Sequence, residues 1–152
     1  MIFYFAYGSN MDEGQMRERC PGARLVSSAV LNNYRLDFTI FSPKRKCGCA
    51  DVVSAPGHKV YGLVYSISEE ELVRLDGYEN VPVAYKRSIA KVTLATGEAQ
   101  NTFVYEVADK KPFRAPSKEY IGLLRSAAEK HAFPREYREM LAGIVTANPK
   151  SL

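Results

Sequence analysis

Between Arg24 and Val107 the chain alternates apolar and polar residues in short runs broken by turn signals, and one segment in that span has helical spacing. A parallel strand pair needs a crossover of about a dozen residues or more, whereas antiparallel strands close through turns of a few residues. The spacing therefore disfavours a doubly wound parallel sheet. The expected fold class is α+β, an antiparallel sheet or small barrel with strands first and helices last.

Element by element, residues 1–7 read as a short buried strand stopped by Gly8-Ser9-Asn10. Asp12 with Gln15 forms an N-cap pair, predicting a helix over 12–19 that ends before Pro21-Gly22. Residues 24–41 read as one long strand or two shorter ones divided at Asn32-Asn33, and Pro43 to Cys49 as a loop. Residues 50–54 and 59–67 read as strands around a turn at Pro56-Gly57. Ser68-Glu69-Glu70-Glu71 is a capping box, and its helix is predicted to run to about Asp76, where Gly77 stops it. Residues 85–94 and 101–107 flank Ala95-Thr96-Gly97 as a hairpin. Ser117 caps a helix with Tyr120, Leu123, Leu124, Ala127 and Ala128 on one face, His131 continuing the stripe as a packed helix-end histidine. Pro134 starts another, with Tyr137, Met140, Leu141 and Ile144 together.

With 152 residues and no repeat or linker, one domain over 1–152 is expected. The N-terminus has no basic region ahead of a long apolar run, so it reads as neither a signal peptide nor a membrane span, and a soluble, cytoplasmic protein is expected. The net charge of +4 is mild, and Lys44-Arg45-Lys46, the one compact basic run, reads as a solvated loop; no nucleic-acid partner and no membrane partner is implied. Cys47-Gly48-Cys49, even with His58, falls short of the four ligands of a closed zinc site, so no metal is expected.

Two places could carry chemistry. Tyr7-Gly8-Ser9-Asn10 leaves a strand and enters a helix, so unpaired amides and the Ser9 and Asn10 side chains could cradle an oxyanion or carboxylate. The same residues also make an ordinary strand-to-helix turn. Glu79 follows a helix end within Leu75 to Val83, an acid in a loop of bulky apolar residues. If that loop folds inward, desolvation raises the carboxyl pKa toward neutrality, as a general base requires; otherwise Glu79 is an exposed loop carboxylate. Asp76 is the competing acid, with a helix-end position as its structural explanation. No Gly-x-Ser-x-Gly elbow, phosphate-binding loop or dinucleotide fingerprint is present, and nothing in the spacing selects a Ser-His-Asp or Cys-His set. Ten tyrosines without a tryptophan suit a pocket that is apolar in body and polar at its rim.

Taken in order, Phe3-Tyr4-Phe5-Ala6-Tyr7-Gly8-Ser9-Asn10-Met11, Tyr61-Gly62-Leu63-Val64-Tyr65, Leu75-Asp76-Gly77-Tyr78-Glu79, Pro116-Ser117-Lys118-Glu119-Tyr120 and Pro134-Arg135-Glu136-Tyr137 resemble the γ-glutamylcyclotransferase family and its AIG2-like relatives. The resemblance spans nearly the whole chain. It implies a small mixed, mostly antiparallel β-barrel with peripheral helices, Glu79 as the catalytic acid/base, and Tyr7, Gly8, Ser9 and Asn10 as the substrate cradle. It also implies pocket aromatics at Tyr85, Tyr105 and Tyr120. Met11 stands where leucine is common, and 44–49 is a loop of variable length in the family. The implied reaction releases 5-oxoproline from a γ-glutamyl substrate without metal or cofactor; a homodimer is compatible with the sequence. Two alternatives stand beside it: a specialised γ-glutamylamine cyclotransferase, and a non-catalytic module of the same fold that binds a small metabolite. The loops at 43–50 and 108–116 are where a leaving-group preference would be written.

Overall fold

The computed structural model describes residues 1–147. Its strands are β1 (Ile2–Ala6), β2 (Arg24–Ser42), β3 (Cys47–Ile67), β4 (Tyr85–Leu94) and β5 (Ala99–Val107). The helices are α1 (Glu13–Arg19), α2 (Glu69–Tyr78), α3 (Lys118–Lys130) and α4 (Arg135–Ala142), with a 3-10 turn at Ser9–Met11 ahead of α1. The strands close into a barrel in the order β1-β3-β2-β4-β5. Every ladder is antiparallel except β1 with β5, which meet in parallel at Tyr4 and Phe103. This is the mixed barrel with peripheral helices that the resemblance implies. The single domain expected over 1–152 takes in 148–152, which lie outside the described residues.

Long-range pairing overrides several local signals. Pro56-Gly57 does not turn the chain back: β3 runs through it, opposite a continuous β2. Pairing resumes after a register shift, from Asn32 opposite Lys59 to Tyr34 opposite Ser54. Asn33 (φ 66°) and Gly57 (φ +84°) take left-handed backbone there, and the Gly57 amide donates to the Asn33 side chain at 3.0 Å. A bulge thus absorbs residues that would otherwise read as a hairpin turn. The predicted loop from Pro43 to Cys49 shrinks likewise, since Cys47 already pairs with Ser42. Gly77 does not stop α2; its neighbours' hydrogen bonds carry the helix to Tyr78, and Glu79 caps it.

The helix starts follow the sequence closely. The Asp12 side chain accepts from the Gln15 amide, Ser117 from the Tyr120 amide, and Ser68 and Glu71 form both halves of the capping box. The apolar faces differ in detail: Ile121 is fully buried in α3, while Met140 of α4 is exposed and only Tyr137 and Leu141 of that helix are buried. Tyr137 packs edge-on against Tyr61 and Phe133, seating α4 on β3. His131 caps α3, with Nε2 buried and unpartnered among the described residues. Gly62 lets β1 and β3 approach closely, because a Cβ there would lie 2.4 Å from the Ala6 carbonyl oxygen.

Candidate active site

A cleft of about 1080 Å³ opens at one end of the barrel, where β1, the 3-10 turn, α1, the β2–β3 turn and the C-terminal end of α2 converge. Tyr7, Gly8, Ser9, Asn10, Glu79, Tyr85, Tyr105 and Tyr120 all line it. Residues from five separate elements and loops are thereby brought into one space.

Glu79 reaches the cleft from the end of α2. Its amide donates to the Leu75 carbonyl at 2.9 Å, and the loop beyond it is tied down by Val81 to Asp76 at 3.0 Å and Ala84 to Asn80 at 2.9 Å. Desolvation pushes the Glu79 carboxyl up to about 7, against the opposing pull of Arg19 and Arg45. The side chain keeps some surface open to the cleft, and no described residue donates a hydrogen bond to it. Within its own stretch Leu75 is buried and Val81 packs against the core, while Tyr78 and Val83 are exposed; Tyr78 and the barrel-mouth tyrosines share the cleft lining with Glu79. Asp76 is held elsewhere, accepting from the Tyr105 hydroxyl at 2.7 Å and from Arg87 at 2.5 Å. Asp76 thus has a structural role, set by partners on β4 and β5 rather than by its place near the helix end.

Burial raises the Tyr4, Tyr7, Tyr85, Tyr105 and Tyr120 phenols well above their ordinary pKa, so they remain neutral donors. Three of them spend their hydrogen within the protein: Tyr7 on the Tyr105 carbonyl, Tyr85 on the Ala50 carbonyl, and Tyr105 on Asp76. The other two accept instead, Tyr120 from the Ala50 amide and Tyr4 from Asn10 Nδ2, both at 3.0 Å. Tyr4 and Tyr120 thus retain an O–H that can be given to a bound molecule. A Cβ on Gly8 would lie 3.4 Å from the Tyr120 hydroxyl, which places that donor beside the turn. The amides of Ser9 and Asn10 open the 3-10 turn and have no partner inside it. Cys49 also lines the cleft, but burial pushes its thiol up to about 12, leaving no thiolate for nucleophilic attack.

Sequence reasoning missed a polar chain across the cleft. Gln15 Nε2 donates to Ser9 Oγ at 2.8 Å and to Asn10 Oδ1 at 2.9 Å. Arg19 also donates to Asn10 Oδ1, at 3.2 Å, and Arg45 donates to Gln15 Oε1 at 2.8 Å. Gln15 and Arg19 stand four apart on the helix leaving the cradle, a spacing that could have flagged them. Arg45 carried no such signal; the basic run read as a solvated loop, whereas Arg45 is half-buried over the Tyr120 ring. Of the two loops expected to bear on the leaving group, 43–50 lines the cleft through Pro43, Lys44, Arg45, Cys49 and Ala50, but 108–116 supplies no lining residue. That second loop is laced to the barrel wall by Lys111 to Thr39, Arg114 to Phe38 and Gly48 to Ala115.

The barrel mouth thus brings a carboxylate with no hydrogen-bond donor among the described residues together with the turn amides and neutral phenols. The family model described as "Gamma-glutamyl cyclotransferase, AIG2-like" matches residues 4–122. The bovine gamma-glutamylcyclotransferase is 30% identical over 151 residues, covering 94% of this chain and 78% of its own, and the human protein of that name is 29% identical with the same coverage. A solved structure of a gamma-glutamyl cyclotransferase superposes with a TM-score of 0.93 at 27% identity, over 99% of this chain and 92% of the other. The chain belongs to the gamma-glutamyl cyclotransferase, AIG2-like family and is an enzyme of that type. Among the described residues no helix is long and apolar enough to cross a membrane.

Proposed function

We propose that this enzyme cyclises a γ-glutamyl group to 5-oxoproline and releases the attached amine, with Glu79 carrying the proton. The observation that supports this most strongly is the Glu79 carboxylate: desolvated, unpartnered, titrating near neutrality and sharing a cleft with the Tyr7–Asn10 turn. A group with that pKa is populated in both forms at pH 7, which suits one carboxylate that must accept a proton and then return it.

The substrate's α-ammonium gives a proton to Glu79, and the freed amine attacks the γ-carbonyl carbon of the same molecule. The new carbon–nitrogen bond closes a five-membered ring. Collapse of the tetrahedral intermediate breaks the bond to the leaving nitrogen, which takes the proton from Glu79. The ring nitrogen ends as a lactam N–H, and its second released proton leaves with the amine as ammonium at neutral pH. The Ser9 and Asn10 amides and the Tyr4 and Tyr120 hydroxyls supply donors for the oxyanion and the glutamyl carboxylate. Because nucleophile and electrophile share one molecule, a tight aromatic pocket accelerates the reaction by holding the folded conformer.

The test is 5-oxoproline release from γ-glutamyl dipeptides, glutathione and γ-glutamyl-lysine by wild type and Glu79→Gln. Release by wild type, and its collapse in the variant with the fold intact by circular dichroism, is the expected result. Binding of glutamate analogues without any release would instead support a non-catalytic metabolite-binding module.

A further inference from the structure

Cyclisation uses Glu79, the turn amides and the free phenols, but it does not explain why the polar chain over the Tyr7–Asn10 turn runs in one direction. At its outer end Arg45 Nη2 donates to Gln15 Oε1 at 2.8 Å. With its oxygen held there, the Gln15 carboxamide turns Nε2 toward the turn, where it donates to Ser9 Oγ at 2.8 Å and to Asn10 Oδ1 at 2.9 Å. Arg19 donates to the same Asn10 oxygen at 3.2 Å, and the Tyr65 hydroxyl donates to the Asn10 backbone carbonyl at 3.2 Å. Asn10 is buried, and two donors on one side of its carboxamide allow a single orientation, because a flipped amide would set its NH2 against both. Nδ2 therefore faces inward and donates to the Tyr4 hydroxyl oxygen at 3.0 Å.

An N–H aimed at the Tyr4 oxygen excludes the hydroxyl hydrogen from that side. Tyr4 is buried, lines the cleft, and has no acceptor for its hydrogen among the described residues. The hydrogen must point into the cleft, toward whatever is bound beside Glu79. Were Asn10 reversed, its own oxygen would take that hydrogen and the cleft would lose a donor. We propose that Gln15 is a positioning residue for the cyclisation: by orienting Asn10, it commits the Tyr4 hydroxyl hydrogen to the oxyanion that forms beside Glu79. Gln15 acts through Asn10 and Tyr4 and does not touch the reacting atoms. The inference rests on the cyclotransferase reading above.

The experiment measures kcat, KM and the pH profile of 5-oxoproline release from the fastest of the γ-glutamyl substrates named above. It compares wild type, Tyr4→Phe, Gln15→Met and the double variant, with folding checked by circular dichroism. Phenylalanine keeps the ring without the hydroxyl, and methionine keeps the length of glutamine without its amide. Tyr4→Phe is expected to lower kcat by about 10- to 100-fold, as loss of one donor to a charged oxygen gives. Gln15→Met should lower kcat by about 5- to 20-fold, with KM and the pH midpoint unchanged, because it leaves the hydroxyl present but misdirected. The double variant should be no slower than Tyr4→Phe alone, since Gln15 then has no hydroxyl to direct. Losses that multiply in the double variant overturn the inference, as does wild-type kcat in Gln15→Met or an effect confined to KM. A shifted pH midpoint in Gln15→Met also overturns it, because Gln15 would then act through Arg45 on Glu79. Failure of wild type to release 5-oxoproline from any substrate would instead overturn the cyclotransferase reading and this inference together.

Discussion

Asp51 and Glu79 are both carboxylates taken out of bulk solvent by the same barrel, Asp51 in its wall and Glu79 at its mouth. Asp51 is completely buried, and both of its oxygens are occupied. Oδ1 accepts from the Val52 and Val107 amides at 2.8 and 2.9 Å, Oδ2 from Thr39 at 2.7 Å, and Lys110 bridges both oxygens at 3.1 and 2.8 Å. Glu79 is less deeply enclosed, yet no described residue donates to it, and its nearest cations act across the cleft rather than by contact. Burial alone therefore does not make a base. A carboxylate whose lone pairs are satisfied is a strut, while one that is desolvated and left unpartnered retains the capacity to take a proton.

The largest effect should come from removing the unpartnered carboxylate. Glu79→Gln is expected to lower kcat by about 10²–10⁴-fold, read as 5-oxoproline release by protein of unchanged circular dichroism. Next, Asp51→Ala should leave Lys110 with Glu106 alone and orphan the Thr39 hydroxyl and the Val107 amide, costing about 1–3 kcal/mol per orphaned group in chemical denaturation, with a much smaller loss of turnover per folded molecule than Glu79→Gln. If the two variants behaved alike in both assays, the distinction between strut and base would fail.

The pH dependence sharpens the contrast. Wild-type kcat/KM should rise with pH to half its plateau near pH 7 as Glu79 ionises. The unfolded chain releases that proton near 4.5 and the folded chain near 7, so Glu79 increasingly opposes folding across this window and by a constant amount above it. Glu79→Gln should accordingly gain stability over wild type between pH 5 and 8, by at most about 3 kcal/mol and less because the cleft admits solvent. A thermal-melt difference independent of pH would contradict this. The smallest effect is expected for Tyr105→Phe, which removes the donor to Asp76; a loss of about 0.5–1.5 kcal/mol is expected, checked by urea titration.

Much of this was legible in the linear chain because it depends on neighbours in sequence. Asp12, Ser68 and Ser117 cap helices through residues three positions away, and strand alternation with hairpin-length turns predicts the antiparallel ladders. Order and spacing of short motifs likewise pointed to the residues that now share one cleft. What misled local reading were places where a distant partner decides the outcome. Pro56-Gly57 becomes a bulge because β2 continues past it, and Arg45 leaves solvent because Gln15 and the Tyr120 ring receive it.

Residue order and local spacing set most element types, the helix starts and the supply of an acid, a turn rich in donors and many tyrosines. Long-range packing sets which tyrosines keep a free hydroxyl, which carboxylate is neutralised by partners, and which arginines line the cleft. The reason is physical: a pKa or an unspent donor is set by everything within a few ångströms, and in a closed barrel most of those neighbours lie far away along the chain.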